Sequence, residues 1–409
     1  MSFTTRVSLI IGLILFSLLC TCCEYKLAVA PSTAPPEPVE VVEEDRTVTV
    51  RITAVGDLLM HMPVVNSAYD HSTQKYDFKP VFADVAWFFE EADYTIANLE
   101  TRLAGAHRGF VSYPLFNTPS ELALDLRELG VDLLTTANNH SLDMGWQGLV
   151  HTLDVIEEAG LAAIGTYRTA EEKERPFVVD LEGIRVGIYN YTYGTNGLPL
   201  PSDHPYAVNL INYEAIAEEI SRLREAGADI IIGCLHYGDE YQRTPSAYQK
   251  DVSQRVCELG TDIIIGGHPH VVQPMEFLSV EHDGEPRECF VAYSLGNFIS
   301  NQRWQYSDSG IILNLEISKD LNTGETGLTA VDYIPVWVQK APEADRIKFR
   351  VVPCDQAIFD FYDQAVPAFT HAEYQRIREV KEEMSTLLDR PEQGILPASA
   401  IAVSKGSQG

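Results

Sequence analysis

The sequence predicts an α/β fold built around mainly parallel sheet, and three observations predict it. Short, continuous apolar runs alternate with amphipathic stretches of helical period. The runs lack the apolar-polar alternation of a half-exposed strand, as expected where helices cover both faces of a sheet. Four of them begin just after an aspartate, at Asp93, Asp132, Asp229 and Asp262, which marks a weakly repeated helix-strand unit. With 409 residues, 45% of them hydrophobic, the chain can bury the core of one large α/β unit with extensions. A net charge of -29 argues against nucleic acid as a partner, and against loose capture of any polyanion.

In chain order, residues 1–23 read as a targeting segment. Arg6 carries the positive charge, and Val7 to Leu19 is apolar but too short for a comfortable membrane span. The run enters Cys20-Thr21-Cys22-Cys23 and resembles a bacterial lipoprotein signal, with Cys22, Cys23 or an uncleaved anchor as the alternatives. In each case the body is expected outside the cytoplasm, tethered to a membrane. Residues 24–46, rich in Pro and Glu, read as an extended linker. The main domain is expected over residues 47–340.

Within it, Val48 to Val55 is a strand leading to Gly56-Asp57. Pro80 to Glu91 is a helix followed by the strand Tyr94 to Ala97. Thr118-Pro119-Ser120-Glu121 reads as a capping box with Pro at the first helical position, opening a helix that ends at Gly130. The strand Val131 to Thr136 follows. Arg185 to Tyr191 is a strand before the loop Gly194-Thr195-Asn196-Gly197. Tyr213 to Ala226 and Ser246 to Leu259 are helices stopped by Gly227 and Gly260, before the strands Asp229 to Leu235 and Asp262 to Gly266. Cys289 to Tyr293 is a strand leading to Asn297. Residues 341–409 read as an extension with one helix, Tyr374 to Leu388, and a frayed tail. Cys234, Cys257, Cys289 and Cys354 fit neither a zinc ribbon nor a disulfide framework, and are expected mostly as buried small hydrophobes.

Residues of metal-ligand type collect where these strands end: Asp57, Glu100, Asn139, His236, His268 and His270. Ligands of parallel α/β sheets gather beyond strand C-termini, so the clusters are expected to converge. Each residue alone has a plainer explanation as a polar turn or surface group; the set favours two divalent cations sharing a carboxylate. Such ions supply Lewis acidity and a water that ionises near neutral pH. His140, next to Asn139, is then free to face substrate as the catalytic residue. His61, Asn98, Asn196, Glu240 and Asn297 are candidates for supporting or substrate contacts. His71, His107, His151, His204 and His282 have no such company.

The motifs Gly56-Asp57, Asn98-Leu99-Glu100, Asn138-Asn139-His140, His236-Tyr237-Gly238-Asp239-Glu240, Gly267-His268-Pro269-His270 and Ser294-Leu295-Gly296-Asn297 stand in an order that resembles the CapA family of poly-γ-glutamate capsule synthesis, within the calcineurin-like metallophosphatases. The resemblance runs from about residue 50 to 300. It implies a four-layer α/β/β/α sandwich and a site for two ions of manganese, iron or zinc. By it, Asp57 and His270 hold the first ion, Asn139, His236 and His268 the second, Glu100 bridges, and His140 is the general acid or donor to the transition state. Two departures stand out. Asp57-Leu58-Leu59 lacks the histidine of the usual Asp-X-His, for which His61 is the candidate replacement, and a glutamate stands where the phosphatases bridge with aspartate. The implied role is metal-assisted hydrolysis or transfer in synthesis, export or attachment of an exopolymer, alongside other capsule synthesis proteins. The alternatives are a general phosphoesterase acting on a phosphorylated small molecule and a non-catalytic polymer- or partner-binding component.

Overall fold

Two sheets carry the chain, and strands from both point their C-terminal ends at one place. The computed structural model describes residues 46–343, 346–363 and 369–398, so the expected targeting segment, most of the linker and the end of the tail lie outside the described residues. All the described residues belong to one compact unit, Asp45–Gly409. Among them, no helix is long and apolar enough to cross a membrane.

The larger sheet has nine strands, and its main path runs Arg346–Pro353, Thr326–Glu343, Ser309–Asp320, Thr47–Leu58, Tyr94–Asn98, Leu133–Thr135, Ala162–Ile164. From Thr47–Leu58 to Ala162–Ile164 the pairs are parallel, and on the other side of Thr47–Leu58 they are antiparallel. The second sheet runs Met275–His282, Glu285–Ala292, Ile263–Gly267, Ile230–His236, Ile184–Thr192, Val178–Leu181, with its four middle strands parallel.

Alternate residues of the strands face opposite layers, because side chains change face at every step. Ile52, Ala54 and Ile96 of one sheet meet Val186, Ile188, Ile232 and Ile265 of the other in the core between them. The outer face of the larger sheet, at Val55, Ala97 and Leu134, is covered by helical Val65, Leu122, Leu126 and Ile156. The outer face of the second, at Ile231, Leu235 and Ile264, is covered by Ile216, Leu223, Val252 and Val256. The expected α/β/β/α layering follows directly from those three cores.

The strand-leading aspartates have a shared mechanical role. Each accepts a backbone N–H from the neighbouring parallel strand: Asp93 from Arg51 at 2.7 Å, Asp132 from Thr95 at 2.9 Å, Asp229 from Arg185 at 2.8 Å and Asp262 from Ile231 at 2.7 Å. A carboxylate acceptor makes these bonds stronger than neutral ones.

Several local expectations need correction. The helix expected over 80–91 is two short ones, Lys79–Phe82 and Ala86–Glu90. Thr118 does not cap: its hydroxyl pairs with that of Thr101 at 2.7 Å, and the helix Glu121–Glu128 starts after Ser120 with no side-chain cap. The true capping boxes are Ser246 with Gln249 and Thr370 with Glu373. Gly130 and Gly260 follow their helices with φ of 99° and 112°, the left-handed backbone that glycine tolerates at a helix end. Cys257 and Cys289 form a disulfide between a helix and a strand of the second sheet, whereas Cys234 and Cys354 are free and buried as expected. The pairing escapes the sequence because its partners stand 32 residues apart with no framework around them.

Residue 340 lies inside the strand Thr326–Glu343, and the strands on either side of it pair fully with this one. The following helices, Cys354–Asp363 and His371–Leu388, lay Ala357, Ile377, Val380 and Met384 on Val331, Tyr333 and Val352. They cover the inner face of the larger sheet's antiparallel part.

Replacing Asp132 by alanine leaves the Thr95 N–H without its acceptor and is expected to cost about 1–3 kcal/mol in urea unfolding. Removing the disulfide with Cys257→Ser and Cys289→Ser together is expected to lower stability by about 3–4 kcal/mol, from the closure entropy of a loop of this length.

Candidate metal centre

Strand register brings the ligands together. Asp57 stands opposite Asn98 and Asn297 at the end of Thr47–Leu58, and Gly267 stands opposite His236 in the second sheet. His268 and His270 then leave the strand with φ of 102° and 58°. Left-handed backbone at a non-glycine residue costs about 1–3 kcal/mol and persists only where its surroundings impose it. Here the turn is what swings both imidazoles back between the sheets.

Two groups of donors result. Glu100, His236 and His268 can each place a ligand atom within 4.8 Å of the others, and so can Asp57, Glu100 and His270. Glu100 belongs to both. The Asn139 Oδ1 lies 2.9 Å from His236 Nε2, so the amide oxygen joins the first group. All six residues are buried, Asp57 and Glu100 completely.

The polar accounting at this place is incomplete without a cation. Both oxygens of Glu100 and the Nδ1 of His268 are buried with no hydrogen-bond partner. A buried carboxylate with no donor is costly unless a positive charge meets it. Burial first, then the charge of Asp57, pushes the Glu100 carboxyl well above the usual range. Burial, with the neighbouring histidines, pushes His236 well below its usual value and His268 down to about 3. Both imidazoles are therefore neutral near pH 7, the form that ligates. Two divalent cations sharing Glu100 fit this donor set.

Supporting contacts set the orientation of each donor. Asn98 Nδ2 donates to Asp57 Oδ1 at 2.7 Å, while its Oδ1 accepts from Asn138 Nδ2 at 3.2 Å. His270 Nδ1 lies 3.1 Å from Asp57 Oδ2. Asn196 Oδ1 accepts from Asn139 Nδ2 at 3.3 Å, leaving the Asn139 oxygen for the centre. Asn297 donates to Gln302 Oε1 at 2.9 Å and to the Ser307 carbonyl at 2.8 Å, and so braces the next loop. Gly267 is needed for lack of space: a Cβ there would stand 2.8 Å from Asp57 Oδ1.

The other candidates fare differently. His140 places Nδ1 2.7 Å from Asp143 Oδ2, which also accepts the Phe116 N–H at 2.7 Å. His61 joins neither donor group. Its Nδ1 lies 3.3 Å from the Leu59 carbonyl and accepts from the Asn301 N–H at 3.4 Å, and burial lowers it to about 4. The Phe116 ring stands between them, edge to face with both imidazoles. Glu240 is exposed, and its charge contributes to the raising of Glu100. Sequence reasoning missed Asp143, although His140-Ser-Leu-Asp143 puts it one turn on; Tyr193 and Tyr241, on the loops that the motifs mark, lie beside His268 and His270.

Residues 51–302, more than half of the chain, match the family described as bacterial capsule synthesis protein PGA_cap. The chain belongs to that family. Its relatives include the capsule biosynthesis protein CapA of Bacillus anthracis, 24% identical over 312 residues that span 74% of this chain and 71% of that protein. The PGA biosynthesis protein CapA of Bacillus subtilis strain 168 is 26% identical over 282 residues, 68% of this chain and 70% of that one. Among solved structures, the Haemophilus influenzae NAD nucleotidase aligns with a TM-score of 0.47 at 13% identity, over 84% of this PGA_cap chain and 64% of its own. The calcineurin-like phosphoesterase YfkN of Bacillus subtilis aligns with a TM-score of 0.40 at 16% identity, over 83% and 98%.

Metal-free protein titrated with Mn²⁺ or Zn²⁺ is expected to release no proton from His236 or His268 near pH 7, and to release more from Glu100 as the pH is lowered, read by calorimetry in buffers of different ionisation enthalpy. Because the folded-state pKa of Glu100 is raised, the metal-free fold loses stability as pH climbs from the ordinary carboxyl range through that raised value, and metal cancels the loss. Gly267→Ala should displace Asp57 and reduce bound metal, measured by elemental analysis.

Proposed function

We propose that this chain is a membrane-tethered, extracytoplasmic, metal-dependent hydrolase or transferase acting in synthesis, export or attachment of a capsule or related exopolymer. The observation that carries the enzyme reading is Glu100, buried without a donor and common to both donor groups. Manganese, iron or zinc pairs suit a set of carboxylates, imidazoles and one amide oxygen. When bound, such a pair polarises an attacked phosphoryl or acyl group and lowers the pKa of water.

The chain's own residues supply the rest. Asn98 and the His268 N–H, 2.7 and 3.4 Å from the Asp57 oxygens, hold that carboxylate in place. Asp143 fixes the His140 ring through Nδ1, so that Nε2 is the nitrogen left to give a proton to a leaving group or a developing oxyanion. A structural metal site has no need of this aspartate-oriented histidine, which favours catalysis over a binding-only role. PGA_cap membership and the CapA relatives support exopolymer synthesis as the setting, with the polymer or a phosphorylated precursor as substrate and other capsule synthesis proteins as partners. The apolar run ending in Cys20-Thr21-Cys22-Cys23 supports the tether. The Cys257–Cys289 disulfide independently supports an oxidising compartment outside the cytoplasm.

The deciding comparison is wild type beside His268→Ala and His140→Ala. His268→Ala is expected to lose at least one equivalent of metal, whereas His140→Ala keeps both and loses turnover by about 100-fold or more. Wild-type protein that takes up no transition metal would end the enzyme reading. Full capsule function in a metal-replete His140→Ala strain would instead favour a binding component.

A further inference from the structure

Two tyrosines border the metal centre. The Tyr193 ring lies 4.6 Å from the His268 ring, and the Tyr241 ring lies 6.0 Å from that of His270. Each donor group thus has one tyrosine beside one of its histidines. The tyrosines are 40% and 36% exposed, while the imidazoles next to them are 3% and 2% exposed.

Both tyrosines are held to the ligand loops through their backbone N–H groups. Tyr193 donates its backbone N–H to the His236 carbonyl at 2.9 Å. Tyr241 has a left-handed φ of 63°, which a bulky residue adopts only under constraint. Its N–H donates to the Pro269 carbonyl at 2.8 Å, and its hydroxyl accepts from Gln302 Nε2 at 3.0 Å. Such anchoring leaves the Tyr241 ring little freedom to lose on binding, and the backbone bond fixes where the Tyr193 ring starts from. The exposed charges next to Tyr241 in sequence, Asp239 and Glu240, are both acidic. Among the described residues, these two carboxylates outnumber the one exposed cation near Tyr241, Arg303, which follows Gln302, so a substituent with negative charge of its own is disfavoured there, whereas an uncharged ring can stack.

We infer that Tyr193 and Tyr241 form a ring-binding subsite beside the metal centre, selecting an oxyanion ligand whose organic substituent is an uncharged ring. The inference rests on the proposed reading of the centre as one that takes an oxyanion. Neither tyrosine supplies a metal ligand, and both are specificity-determining residues.

Phenylphosphonate and methylphosphonate, titrated by calorimetry into metal-loaded protein, separate the ring from the oxyanion. Wild type is expected to prefer phenylphosphonate by about tenfold, the factor that one or two aromatic contacts supply. Tyr193→Ala and Tyr241→Ala should each remove most of that preference while leaving methylphosphonate affinity and metal content unchanged. Tyr193→Phe and Tyr241→Phe should retain it. Equal affinity of wild type for the two phosphonates, or parallel loss of both in the alanine variants, overturns the ring subsite alone. Metal-replete protein that binds neither phosphonate overturns the oxyanion reading and the subsite with it.

Discussion

Asp93, Asp132, Asp229 and Asp262 each take a backbone N–H from the next parallel strand, two in each sheet, and so pin register at the N-terminal ends of strands. Register matters here at the opposite ends. Asp57 beside Asn98, and Gly267 beside His236, are single positions whose usefulness vanishes with a slip of one residue, since such a slip turns every side chain to the other face. The hydrophobic core would resist a slip too, but it acts through many interchangeable apolar contacts. The aspartates act through one directed bond per strand.

The centre is the expensive part of this fold. Glu100 is a carboxylate without a donor, and His268 and His270 hold left-handed backbone. Gly267 runs so close to Asp57 that even a methyl group would collide. None of these helps a metal-free chain fold. Taken together they describe a site whose stability is completed by cations, while the layered cores on either side carry the cost of holding it open.

Much of this was legible in the sequence for physical reasons. Uninterrupted runs such as Ile263-Ile264-Ile265 announce strands covered on both faces, and the polar residues just after them announce a shared edge. The same reading went astray where a signal was local but its partner was distant. Thr118 has the spacing of a cap, yet its hydroxyl is taken by Thr101. Cys257 and Cys289 look solitary because only the fold sets a helix against that strand. His61 is near enough in sequence to stand for the absent histidine, yet the fold gathers both donor groups without it. Beyond residue 340 periodicity weakens, because there helices and strands share one face of a sheet that the second sheet does not cover.

That last region bears on what counts as a complete protein. The family match stops at residue 302, yet the strand bearing Asp57 draws its antiparallel neighbour from Ser309–Asp320. Cut at the family boundary, the chain would present a long, apolar, unpaired edge in the middle of its own sheet, an open template for self-association. The motif set up to residue 302 therefore leans on the strand that follows it. The stretch that looks least informative is the one that closes the sheet beside the Asp57 strand.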